Sequence, residues 1–379
     1  MRFPQFSDDW QIVPLKGMCE LYSGNTPDRT NEAYFNGDIN WFSSGELKDR
    51  YLHMSNEKIS QQAVESVGLK ILPPNTLVIA IYGLEASGVR GNCAIIGTSG
   101  TISQACMAFI PKVGVMNEYL YSWYQRFGNY IGLKYAQGTK QQNLSSDIIG
   151  NLSVAHPTLK EQSKIVCFFR LIDEHIANLS ETIKELKTQK AGLLNQLFSQ
   201  KLRFPDFTDE WTQTTLGEIL DYEQPTFYIV NNTDYSNDSS LIPVLTANKS
   251  FVLGYVNEEN IYDKGECIIL DDFTLDIKFV DFPFKIKSSA IKILTAKKGV
   301  NIKIIYNYLL FMNLRGQEKD HKRHYISEVQ PLSISLPTLE EQKKIADFLS
   351  LIDERIEVEE QLLKKYEEQK KYLLRQMFV

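Results

Sequence analysis

The sequence predicts a mixed α/β fold in which two sheet-and-helix domains alternate with two long helices. The helices are expected to pair antiparallel within the chain as a coiled coil with pseudo-two-fold symmetry. Three observations predict this. First, RFPQFSDDW at residues 2–10 returns as RFPDFTDEW at 203–211, six identities in nine at an offset of 201. Second, HPTLKEQSKIVCFFRLIDEHI at 156–176 returns as LPTLEEQKKIADFLSLIDERI at 336–356, thirteen identities in twenty-one, and QKAGLLNQLF at 189–198 returns as QKKYLLRQMF at 369–378, both at an offset of 180. Third, the repeated blocks carry an apolar heptad seam. Unlike interiors lie between the repeats, so the layout is variable, constant, variable, constant, which suits one scaffold presenting two different recognition surfaces. The expected segments are 1–155, 156–202, 203–335 and 336–379.

Composition sets modest bounds. A chain of 379 residues with 43% hydrophobic and 23% charged residues is an ordinary globular protein of two or three domains. Five scattered cysteines without a CxxC pair argue for a reduced compartment and against a zinc or disulfide framework. The polar, aromatic start is no signal peptide, and no apolar run is long enough to span a bilayer, so the cytoplasm is the default. A net charge of −6 is unexpected for a chain gripping nucleic acid alone, because phosphate neutralisation supplies most nonspecific affinity. Positive charge is local, at Lys292, Lys297, Lys298 and Lys303, then Arg315, Lys319, Lys322 and Arg323.

In the first interior, LKILPPNTLVIAIYG has a strand-turn-strand rhythm, NCAIIGT and ACMAFI read as strands, and residues 117–131 as a helix. The first constant block then places Ile165, Ile172, Leu179, Leu186 and Leu193 seven apart, with Phe169, Ile176, Ile183 and Leu197 four residues later, broken by Lys190. This is an a/d seam. The second interior repeats the order, with strands near IPVLT, FVLGYV, ECIIL and SAIKIL and a helix at 302–313, which points to one fold with divergent loops. The second seam is Ile345, Ile352 and Leu373 at a and Leu349, Ile356, Leu363 and Met377 at d, interrupted by Glu359, Tyr366 and Lys370. Thr158 and Thr338 precede Glu161 and Glu341 by three residues, a capping-box pattern. Each helix runs some 43 residues, roughly 65 Å. Long core helices would be the alternative, but neither helix alone could bury its seam. Trp10 and Trp211 are expected to pin each domain to its helix end. By the two offsets Val379 corresponds to Ser199 and Met1 to Leu202, so the termini should lie within about 15 Å, given the reach of a short step of chain.

These repeats resemble the specificity subunit of type I DNA restriction-modification systems. The resemblance covers essentially the whole chain and is carried by PTLxEQxKI with the LIDE stretch, and by RFPxFxDxW, each present twice. It implies two target-recognition domains that read a bipartite, asymmetric duplex target. It also implies recruitment of two methyltransferase (modification) subunits and of restriction (motor-nuclease) subunits, which hold S-adenosylmethionine, ATP and Mg. The residues agree with a noncatalytic part: there is no NPPY-like tetrad and no GxxxxGK[ST] loop. A nuclease reading rests on Asp271, Asp272, Asp276 and Lys278 in IILDDFTLDIK, a weak pattern that a strand and turn also explain. A purely structural scaffold gives no reason for two large unlike domains.

GTKQQNLS at 138–145 and DHKRHYIS at 320–327 occupy equivalent places and resemble the family's polar loop that approaches the duplex. Thr139, Lys140, Gln141, Gln142 and Asn143 offer a phosphate-binding cation and amides suited to adenine, while Lys322, Arg323, His324 and Tyr325 offer guanine-reading and phosphate-binding donors. The alternative is an exposed polar connection. Ser44, Glu46, Tyr82 and Arg90 are further candidates, with Asn248 and Lys249 at the place in the second interior that matches Ser44. Turn chemistry alone would also explain their glycines and serines. His53, His156, His175, His321 and His324 show no metal spacing, and no metal is assigned.

Overall fold

The computed structural model describes residues 1–86, 88–248, 250–314 and 322–378. It divides into two compact units, Met1–Ser180 with Glu360–Val379, and Glu181–Glu359. Each unit contains one variable domain and one stretch of each long helix.

The first unit runs β1 (Gln11–Pro14), α1 (Leu15–Met18), β2 (Cys19–Ser23), β3 (Ile39–Phe42), β4 (Tyr51–Leu52), β5 (Glu57–Ile59) and α2 (Gln61–Ser66). Strands β6 (Leu77–Ala80), β7 (Cys93–Ile96), β8 (Gly100–Ile102) and β9 (Cys106–Pro111) follow, then α3 (Asn117–Tyr135), α4 (Ser146–Gly150), β10 (Ser153–His156) and the long α5 (Leu159–Phe198). A five-stranded sheet has the order β2-β9-β6-β7-β4, beside a β5-β3-β8 sheet and a β1-β10 pair. The apolar runs LVIA of β6 and CAII of β7 are wholly buried. They share one core with Tyr119, Leu120, Trp123 and Tyr124 of α3, Ile165 and Phe169 of α5, and Phe378.

The second unit runs β11 (Thr212–Thr215), α6 (Leu216–Ile219), β12 (Leu220–Glu223), β13 (Ile242–Leu245), β14 (Val252–Val256), β15 (Cys267–Asp271) and β16 (Ile277–Val280). It continues with β17 (Lys285–Ile286), β18 (Ile291–Ala296), α7 (Ile302–Met312), β19 (Ser333–Leu336) and α8 (Leu339–Met377). Its sheets are β12-β18-β15-β16, β14-β13-β17 and β11-β19. That order repeats the first unit strand for strand. In both three-stranded sheets the central strand has one antiparallel and one parallel neighbour. Only β4 lacks a counterpart among the described residues.

The repeated motifs tie each domain to its helix end by the same bonds. Buried Glu161 pairs with Arg2 at 2.6 Å and accepts from Trp10 Nε1 at 3.0 Å; buried Glu341 pairs with Arg203 at 2.7 Å and accepts from Trp211 Nε1 at 3.2 Å. This corrects the capping-box expectation. Thr158 and Thr338 do accept from the Glu161 and Glu341 backbone N–H at 3.4 Å, but the glutamate side chains are held by arginine and tryptophan. Gln162 donates to the Pro157 and Gly114 carbonyls and accepts from Met116 N–H; Gln342 does the same with Pro337, Gly299 and Asn301. Gly114 and Gly299 have φ of +92° and +90°, a left-handed turn that glycine adopts without steric cost. Lys112 Nζ reaches the Lys16 carbonyl at 2.9 Å, and Lys297 Nζ the Gly217 carbonyl at 3.2 Å. The motif PTLxEQ is thus a double latch: its glutamate holds the start of the domain and its glutamine the turn before the domain's helix.

Within the first unit, α5 and α8 run antiparallel: Phe169 packs on Phe378, Asp173 pairs with Lys370 at 2.5 Å, and His175 stacks on Tyr366. Within the second unit the equivalent residues Lys190 and Asp353 pair at 2.6 Å. Lys190 and Lys370 were expected to interrupt the seam. They are instead the partners of the aspartate in each LIDE stretch, a polar contact of the kind that sets register in paired helices. The seam positions Ile165, Ile172, Ile345, Leu349 and Ile356 are buried, and Leu179, Leu186, Leu193, Ile352, Leu363 and Leu373 half-buried. No helix among the described residues is long and apolar enough to cross a membrane.

The chain ends complete the repeat. Leu202 N–H donates to the Gln196 carbonyl at 3.1 Å, and at the matching positions the Met1 ammonium donates to the Gln376 carbonyl. Val379 lies outside the described residues.

Candidate nucleic-acid interface

In the first unit, β6 ends at Ala80 and the loop 81–92 returns to β7. The segment after α3 is stitched to it. Leu144 N–H donates to the Ile81 carbonyl at 2.9 Å, Leu84 N–H to Gln142 at 3.2 Å, and Gln137 and Asn143 exchange both backbone bonds. Gly138, with φ +107°, closes the turn; a Cβ there would lie 2.0 Å from the Gln141 carbonyl oxygen. Side chains add Tyr82 Oη to Gln141 at 2.5 Å and Arg90 Nη2 to Gln142 at 3.1 Å. The Glu85 carboxylate accepts from Gln142 N–H at 2.8 Å, and this bond holds its carboxyl below the usual glutamate range. The expected residues Tyr82, Arg90, Gln141, Gln142 and Asn143 therefore meet in one place, with Thr139 and Lys140 on its exposed rim. Glu85 was missed, although it lies inside the loop already singled out. Ser44 and Glu46 sit in a separate turn after β3. There Glu46 accepts from Ser43 N–H, Ser43 Oγ and Asn56 N–H, which makes it the clasp of that turn.

In the second unit the matching strand β15 ends in Asp271, followed by Asp272. Backbone bonds identify the equivalence: His324 N–H donates to the Asp272 carbonyl at 2.9 Å as Leu144 does to Ile81, and Asp272 N–H donates to Ala290 as Ile81 does to Ala105. Asp271 caps the turn, accepting from Phe273 and Thr274 N–H and from Asn248 Nδ2 at 3.2 Å. Asp272 accepts from Tyr325 N–H at 2.7 Å and pairs with Lys292 at 3.4 Å, both side chains being 2% exposed. Arg323, 47% exposed, lies 3.5 Å from the same carboxylate, donates to the Ser289 carbonyl at 3.2 Å and covers the Phe273 ring.

Two expectations are corrected here. His324 and Tyr325 are buried, the imidazole against Glu328 and the phenol against Tyr222; of the four readers expected in that loop, Lys322 and Arg323 are the ones that reach solvent. Three members of the basic cluster also have acidic partners within the unit, Lys292 with buried Asp272, Lys297 with Asp221 and Lys303 with Glu266. Lys249, Arg315, Lys319 and His321 lie outside the described residues. The carboxylates of the nuclease reading are spent on the fold: Asp271 and Asp272 as above, Asp276 as acceptor from Thr274 Oγ1. No group of three or more His, Cys, Asp or Glu able to hold a metal occurs among the described residues.

Comparison with known proteins follows the same two-part layout. The chain matches the family described as "Type I restriction modification DNA specificity domain" twice, over residues 7–188 and 208–368. It is 45% identical to the EcoR124I/EcoR124II specificity subunit of Escherichia coli over 36% of this chain, a match that spans about a third of that relative (34%). It is 21% identical to the MjaVIII specificity subunit of Methanocaldococcus jannaschii over 97% of this chain and 91% of the relative. The fold is similar to the crystal structure of a type I restriction-modification S subunit from M. genitalium, with a TM-score of 0.68 at 16% identity, covering 100% of this chain and 99% of that one.

Proposed function

Because the chain belongs to the type I restriction-modification specificity-subunit family, whose members are noncatalytic DNA-recognition subunits, we propose that it reads a bipartite, asymmetric duplex target. Residues 1–155 take one half-site and residues 203–335 the other, while the helical regions 156–202 and 336–379 set the gap between them. The observation that carries the proposal is that one bonded frame occurs twice and bears, at equivalent strand ends, two unlike sets of polar groups. In the first half-site the readers are Tyr82, Arg90 and residues 139–143, whose amides suit adenine edges. In the second they are Asn248, Lys322 and Arg323. The chain recruits methyltransferase and restriction subunits, which bring S-adenosylmethionine, ATP and Mg. A net charge of −6 makes affinity depend on phosphate contacts from the methyltransferase partner. Mixing the chain and that partner with random duplex DNA, then sequencing the bound fraction, tests the proposal. Two short conserved blocks at a fixed separation are expected; a single block or no enrichment would refute it.

A further inference from the structure

We propose that Asp272, neutralised by Lys292, is a positioning residue that aims Arg323 at a guanine of the second half-site. The inference rests on the reading that the loop holding Arg323 meets DNA, and adds what fixes its specificity. A guanidinium has two edges that can bind a base bidentately. Both contacts of Arg323 to Asp272 and Ser289 use Nη1, and Phe273 supports the plane from below. Among the described residues no hydrogen bond uses Nε or Nη2, so the Nε–Nη2 edge is the one presented, and it matches guanine O6 and N7. Asp272 also holds the backbone that carries this side chain, through His324 N–H and Tyr325 N–H. One buried carboxylate therefore fixes both the arginine's root and its tip.

The frame itself does not require the ion pair. Strand register places Ile81 and Met107 of the first unit where the second has Asp272 and Lys292, and both are buried there. The same fold is thus built with an apolar pair at these positions, and the charged pair occurs in the domain that carries Arg323 where the first has Asn143.

This supplies a test that separates aiming from folding. Full-length wild type, Arg323→Ala and the double variant Asp272→Ile with Lys292→Met, each with the methyltransferase partner, are put through selection from random duplex DNA, salt-dependent titration and thermal unfolding. The double variant transplants the first unit's apolar pair and leaves no buried charge unpaired. Arg323→Ala is expected to lose about 5- to 150-fold of discrimination at one position of the second half-site. The double variant should stay folded and lose it at the same position, with the first half-site unchanged and the unfolding temperature lowered only by the loss of the Tyr325 N–H acceptor. A double variant that unfolds, or that keeps wild-type discrimination while Arg323→Ala loses it, would overturn the positioning role. Evenly lowered affinity for Arg323→Ala, with discrimination kept and the salt slope reduced by about one, would assign the arginine to a phosphate and overturn the guanine assignment. A wild-type profile for Arg323→Ala would instead refute the underlying reading that this loop meets DNA.

Discussion

Where the first unit ends its central strand in Ala80-Ile81 and lets a long loop, 81–92, fold against the segment 137–143, the second ends it in Asp271-Asp272 and turns back within five residues, 272–276. The first interface is built of amides, a tyrosine, Arg90 and Lys140, held by backbone bonds and one glutamate. The second is built of charges around a buried carboxylate. Beneath them the frame is the same, from the Glu161 and Glu341 latches to the glycine turns at 114 and 299. The difference teaches where divergence is tolerated. The contacts shared by the two frames run through the backbone, through side chains of the constant motifs and through Lys112 and Lys297, so side chains at the strand ends can change wholesale while these shared bonds stay in place.

Removing the latch is the strongest way to break the comparison. Glu161→Gln and Glu341→Gln each cost a hydrogen-bonded buried ion pair, and each is expected to destabilise its own unit by about 2–3 kcal/mol. Denaturant-dependent hydrogen exchange resolved by unit measures both; unequal losses would show that the two frames are not energetically equivalent. Inserting one heptad after Leu186 and another after Tyr366 lengthens both helices by about 10 Å, equivalent to roughly three base pairs. A longer gap with both half-sites retained is expected from selection of random duplexes. An unchanged gap would deny the helices a role as spacer.

Two further changes should be small. Joining Val379 to Met1 through Gln-Lys and reopening the chain at Gln200 moves the break to the equivalent junction, where Leu202 and Gln196 already make the bond that Met1 and Gln376 make. The permuted chain is expected to fold and to select the same target, as circular dichroism and selection would record. The least effect belongs to Glu85. Its carboxyl is depressed below the ordinary value of 4.5 by the bond from Gln142 N–H; a depressed acid stabilises the fold above its unfolded pKa, and that contribution is lost as pH falls through the folded one. The Gln142 amide should keep its exchange protection at neutral pH and lose it only below about pH 4.5. Equal protection at pH 3 would show that Glu85 does not hold the loop.

The helices, the alternation of domains and the closeness of Met1 to the last helix were legible because they rest on periodicity and repeated motifs, which a linear sequence displays. Some strands were legible but their order in the sheets was not, since it is set by pairing between distant strands. The role of PTLxEQ was legible only in half: Thr158 and Thr338 do cap their helices, but Arg2 and Trp10, some 150 residues away, claim the glutamate. Lys190 and Lys370 looked like seam defects because their partners lie on the other helix. His324 and Tyr325 looked like readers because polarity alone does not reveal burial. KVGV at 112–115 and KKGV at 297–300 could have shown that the frame extends into the interiors.

The central claim, that two independent readers stand on one repeated frame, is tested most directly by replacing residues 11–155 with the matching segment of another specificity subunit and mapping methylation by the assembled complex with long-read sequencing. One half-site should change to the donor's, with the other half-site and the gap unaltered. A change in both half-sites would contradict the account.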